Sequence, residues 1–171
     1  MTVLLSNICQ INQTVPHLAP YREIHAAFAK SYQGGHLSAW LNEYFSSNGI
    51  VPYLYGTNTP LQFTVQDDLP HGTAYEMHIH QTAKIPTRDN LHDWFGACVW
   101  SVFPKSKSML NAKHIAYFAH QNTSNGRNRV RDTITVFDEN GAIFVVSEDT
   151  IGTQIGDALV AFDWQNCLVN T

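Results

Sequence analysis

An α+β fold, with helices packed around a small antiparallel sheet, follows from three features of the sequence. Leu91, Trp94, Phe95, Cys98, Val99, Val102 and Phe103 recur at a 3.6-residue period, which predicts an amphipathic helix over 90–103. The run VRDTITVFDENGAIFVVS at 130–147 alternates and turns at Asn140-Gly141, a pair suited to positive φ, which predicts a β-hairpin. Strands and helices do not alternate as βαβ units, so the parallel α/β classes do not fit.

The elements before the central helix follow from local signals. Pro16 and Pro20 lead into a helix over 21–30 with Ile24, Ala27 and Phe28 as its apolar side, and Gly34-Gly35 ends it. Leu37, Trp40, Leu41, Tyr44 and Phe45 predict a second helix over 36–47, stopped by Asn48-Gly49. A loop over 50–60 precedes the strand LQFTV at 61–65. After a turn at 67–72, TAYEMHIH at 73–80 alternates Tyr75, Met77 and Ile79 with Glu76, His78 and His80 and reads as a further strand.

A rigid lead-in, KIPTRDN, reaches the central helix, where Asn90 is the expected N-cap and Asp93 is placed to return the capping bond. Pro104 stops that helix. Residues 105–120 read as another helix, 121–129 as a polar loop and 157–165 as a short last helix through Leu159, Val160, Phe162 and Trp164.

The 171 residues suit a single domain with one core. A formal net charge of -4 argues against a general nucleic-acid binder, whose affinity rests on neutralising phosphates. Cys9, Cys98 and Cys167 form no CxxC pair and no even framework, so neither a disulfide scaffold nor a zinc finger is expected. The opening MTVLLSNICQINQ lacks a basic start and a long apolar run, and no apolar stretch is long enough to span a bilayer. A soluble cytoplasmic protein without membrane association is the expectation.

Chemistry concentrates around the central helix. His92, Asp93, Gly96 and Trp100 share its second face, and a glycine there predicts the close approach of a backbone or ligand. Arg88 beside the helix N-terminus favours an anion. The plainer alternative is that Asp93 only caps, His92 is solvated and Trp100 is core. On a strand, Glu76, His78 and His80 would share one face about 7 Å apart per step. With His92 they are the candidate ligands of a divalent metal. Gly72 with His78-x-His80 opens like a cupin metal motif, but no glutamate follows at the required distance. Arg127, Arg129 and Arg131 alternate as an anion fork, with Asp132 and Asp138 flanking an apolar stripe and Asn111 one turn before His114. No nucleophile elbow, Walker loop or dinucleotide fingerprint is present.

Tyr75-Glu76, Pro86-Thr87-Arg88, Asn90, His92-Asp93, Phe95, Trp100, Phe103-Pro104, Lys107, Leu110-Asn111, Arg131-Asp132, Thr135, Phe137-Asp138-Glu139 and Gly141 resemble the bacterial domain of unknown function 3025 family. The resemblance covers about residues 17–160. Two positions depart from it: the family's Thr-Gly is Thr82-Ala83 here, and its Phe-Asn-Ala is Phe95-Gly96-Ala97. Members also continue into a further helical region, so the chain resembles a shortened member, for which a homo-oligomer covering that side is expected. The family supplies no activity. What the resemblance implies is that Glu76, Arg88, His92, Asp93, Arg131, Asp132 and Asp138 belong together.

The resulting expectation is a polar site that binds a small anionic molecule, with hydrolysis as its reaction. His92 is general acid or base, Asp93 or Glu76 orients it, and Arg88, Arg131 and Arg127 hold the anion, supported by Asp132, Asp138 and Asn111. A divalent metal on Glu76, His92 and Asp132 is a variant. The alternative is a non-catalytic binding or protein-interaction domain whose charged cluster is structural.

Overall fold

The computed structural model describes residues 3–119, 129–141 and 145–168. Two compact units form, Met1–Asp138 and Glu139–Thr171. The first contains helices α1 (Val3–Cys9), α2 (Arg22–Ser31) and α3 (Leu37–Ser47), strand β1 (Gln62–Val65), helix α4 (Tyr75–Thr82) and strand β2 (Lys84–Thr87). Helices α5 (Leu91–Val102) and α6 (Pro104–Ala119) follow, and the unit's last residue, Asp138, falls within α7 (Arg129–Asn140). A 3-10 turn at Pro16–Tyr21 sets the start of α2. Among the described residues, no helix is long and apolar enough to cross a membrane.

Aromatic and aliphatic side chains from most of these elements meet in one core. Trp94 of α5 lies at its centre, 0% exposed, with its ring 4.5 Å from that of Phe28 and 6.0 Å from that of Trp40. Ile24, Leu37, Leu41, Phe45, Phe63 and Ile85 bring α2, α3 and the two strands against it. The buried face of α5 is Trp94, Ala97, Cys98 and Trp100. This face is rotated from the expected stripe, because Trp100 turns inward while Val102 is 36% exposed.

The sheet differs from expectation: β1 and β2 run parallel, in register from Gln62 opposite Lys84 to Val65 opposite Thr87, with α4 in the crossover. What read as a lead-in loop before α5 is thus a strand. The outer edge of β1 is closed by a side chain of α3. Asn42 Nδ2 donates to the Phe63 carbonyl at 2.8 Å, and the Phe63 N–H donates to Asn42 Oδ1 at 2.9 Å.

Residues 73–80 also differ, since Tyr75–Thr82 is a helix and not a strand. Eight residues are too few to separate a period of two from one of 3.6. His78 and Ile79 are neighbours and both buried, which a helix achieves and one strand face does not. The helix ends on Ala83, in the left-handed region at φ 57°.

The expected hairpin at 130–147 is overturned as well. Arg129–Asn140 is helical, residues 142–144 lie outside the described residues, and 145–147 form no strand. Ile134 and Phe137 are three apart, so a helical spacing was present beside the alternation, and Asn-Gly stops a helix as readily as it turns a hairpin.

In the second unit, α8 (Thr150–Val160) and α9 (Trp164–Leu168) replace the one short helix expected over 157–165. Asp149 caps α8 by accepting the Gly152 N–H at 2.8 Å, and Phe162 at φ 58° makes the turn between the two helices.

Candidate functional site

Short segments at the end of β2 and the start of α5 organise the first polar cluster. Asn90 is the N-cap of α5, its Oδ1 accepting the Asp93 N–H at 2.9 Å. Asp93 returns the bond two residues further back than a standard capping box, accepting the Arg88 N–H at 2.6 Å. The same carboxylate closes on the Arg88 guanidinium as a two-point fork, Nη2 to Oδ1 at 2.8 Å and Nε to Oδ2 at 3.1 Å. His92 Nδ1 lies 2.8 Å from Asp93 Oδ1.

Asp93 is largely buried, at 11% side-chain exposure, while Arg88 and His92 stand open at 53% and 67%. Burial alone pushes the Asp93 carboxyl up, but the hydrogen bonds from Arg88 and His92 outweigh it and hold the group below the usual carboxylate range. Asp89, which the sequence reading passed over, accepts the Leu37 N–H at 2.6 Å and so caps α3 from 52 positions away. No local spacing could have shown that partner.

A second cluster lines a cleft in the same unit, walled by Tyr75, Glu76 and Ile79 of α4, Trp100 of α5, Lys107, Leu110, Asn111 and His114 of α6, and Asp138 of α7. It encloses about 330 Å³ of empty space, its mouth included. Lys107 Nζ reaches both oxygens of Asp138 at 2.7 Å and stands 5.9 Å from the centre of the Trp100 ring. Asn111 Nδ2 donates to the Glu76 carbonyl at 3.0 Å, tying α6 to α4.

That bond leaves Asn111 Oδ1 buried with no hydrogen-bond partner among the described residues, and His114 Nδ1 is in the same condition. The two side chains are 6% and 5% exposed. Tyr75 links the clusters. The residue is 40% exposed overall, but desolvation around its phenol, with the carboxylates of Asp93, Asp138 and Glu76, pushes its ionisation upward against the opposing effect of Arg88, so the phenol stays protonated.

The structure therefore gathers the expected site residues in two groups. Arg88, His92 and Asp93 form one, and Glu76, Asn111 and Asp138 line the cleft. Asp132 is exposed on α7, Arg127 lies outside the described residues, and so does the side chain of Arg131. The shared face of Glu76, His78 and His80 is lost with the strand: His78 is 5% exposed and His80 is on the surface. Among the described residues, no three His, Cys, Asp or Glu side chains are gathered closely enough to hold a metal ion.

Gly96 is approached by no other part of the protein among the described residues, since a Cβ there would meet nothing within 4 Å. Lys107 and Tyr75 were not identified as site residues from the sequence. A signal for Lys107 existed, because 107, 111 and 114 fall at i, i+4 and i+7 on one face of α6.

The family model described as "Protein of unknown function (DUF3025)" covers residues 61–171, from the start of the strand region onward. No curated protein and no solved structure matches the chain.

Proposed function

From a chain that belongs to the DUF3025 family, whose function is unknown, we propose that it binds a small polar molecule in the cleft lined by Tyr75, Glu76, Asn111 and His114. The observation that carries this reading is a pair of buried atoms without a hydrogen-bond partner among the described residues, Asn111 Oδ1 and His114 Nδ1, on two residues that line the cleft. Each buried polar atom left without a partner costs about 1–3 kcal/mol, an expense that a bound molecule recovers.

A hydrolytic version draws on the first cluster. With Nδ1 of His92 donating to Asp93, Nε2 of the exposed ring is the proton acceptor, the arrangement of a general base with an orienting carboxylate. An anionic ligand is the weaker form of the proposal, because Asp93 already occupies the Arg88 fork and Asp138 the Lys107 ammonium. An anion would have to displace a carboxylate at either place.

The competing reading, a non-catalytic interaction domain, is favoured by one fact: Asp89, Asn90 and Asp93 all serve helix starts. Thermal-shift screening of small polar molecules, nucleotides and divalent ions separates the readings, using wild type, Tyr75→Phe and His92→Ala. A ligand whose shift is reduced in Tyr75→Phe supports the cleft, and one whose shift also needs His92 supports the hydrolytic version. A screen without any shift, with His92→Ala merely less stable, makes the clusters structural.

A further inference from the structure

We infer that the molecule this cleft takes is a small primary alkylamine in its ammonium form, an extension that rests on the cleft being a binding site. The cleft offers several acceptors, beside which the Tyr75 phenol and the remaining Lys107 proton are its donors. Glu76 carries a carboxylate that has no ion pair or hydrogen bond among the described residues. Asn111 has its nitrogen fixed on the Glu76 carbonyl, which can only accept, so its free atom is the acceptor oxygen. His114 Nδ1, on the same wall of α6, is a further acceptor whenever the ring's proton is on Nε2.

Lys107, the lining cation among the described residues, is already paired. Two of the three Lys107 protons point at Asp138, and one remains. A carboxylate or phosphate in this cleft would meet two carboxylates and a neutralised lysine. An ammonium brings three donors and a positive charge in the most compact form available, which suits acceptors as deeply withdrawn as those of Asn111 and His114.

The remaining walls set the rest of the molecule. Ile79 and Leu110 offer apolar surface, and the Trp100 ring adds a π-face of the kind that attracts cations. A short alkyl chain behind the ammonium matches that apolar lining.

Calorimetric titration of the full chain with n-butylammonium chloride, sodium butyrate and n-butanol tests this. Saturable binding of butylammonium is expected, with butanol weaker by roughly tenfold or more, the scale of lost charge-assisted hydrogen bonds, and no binding of butyrate. Glu76→Gln should weaken butylammonium binding by roughly tenfold, while Glu76→Asp, which keeps the charge, retains part of the affinity. Circular dichroism checks that both variants fold. Butyrate or butanol binding as tightly as butylammonium, or Glu76→Gln binding it like wild type, overturns the ammonium assignment and leaves the cleft as a site for another small molecule. Absence of binding by all three probes overturns the assignment, and with no hit in the wider screen the cleft reading falls too.

Discussion

Replacing Asp93 by asparagine preserves the shape of the side chain and removes the charge on which the start of α5 closes. The two bonds from the half-exposed Arg88 side chain count at surface strength, about 0.5 kcal/mol each. The short bond from the Arg88 backbone N–H falls from charge-assisted to neutral, a loss of about 0.5–1 kcal/mol. A negative charge in the first turn of a helix contributes about 0.5 kcal/mol more. Together these predict that Asp93→Asn loses about 2 kcal/mol at neutral pH.

The pH dependence carries a sign. The folded protein holds the Asp93 carboxyl below its ordinary value of 3.8, so the stabilisation is present above that value and is lost as pH falls below it through the lower value of the folded state. The gap between wild type and Asp93→Asn should therefore be constant from about pH 8 to about pH 5 and shrink below about pH 4. Urea unfolding followed by tryptophan fluorescence at a series of pH values measures it. A gap under about 0.5 kcal/mol at pH 7, or one that does not narrow in acid, would refute the description of Asp93 as a charged hub.

Further outcomes follow from single positions. Ala83→Gly should raise stability by about 1 kcal/mol in the same assay, because Ala83 closes α4 at φ 57°, where glycine carries no Cβ penalty. Gly96→Ala should also stabilise, by about 0.5–1 kcal/mol, since the added Cβ meets open space and helix propensity favours alanine; a loss would show that something occupies that space. Iodoacetamide should label exposed Cys9 quickly in the native protein and Cys98 only after unfolding, because burial pushes the Cys98 thiol up to about 12 and closes it off. Mass spectrometry of the native reaction reads the order directly.

Local signals in the sequence located what depends on local interactions. Asn90 as a cap, the helix from Leu91 and the strand at Phe63 were all visible, because capping and periodicity are written within a few residues. The helices at Tyr75 and Arg129 were not, since each has a short alternating run that fits two periods until packing chooses one. For the site, Arg88, His92 and Asp93 were legible as neighbours because they sit within one turn of each other. The cleft was only half legible: Glu76, Asn111 and Asp138 were named, but no sequence spacing shows that Lys107 would spend its charge on a residue 31 positions away.

The parallel pairing of β1 with β2 also bears on the order in which the molecule assembles. Gln62 meets Lys84, 22 positions later, so the strands join only after the intervening chain has closed a loop, whereas α2, α3 and α5 form from contacts within a few residues. Helix α4, with Tyr75 and Glu76, lies inside that loop, and the opposite walls come from 107–114 and from 138. On the proposed reading the cleft is completed late, as these longer-range contacts close. A ligand selective for the cleft binds the finished fold and not its helical precursors, and it would slow unfolding more than it speeds folding.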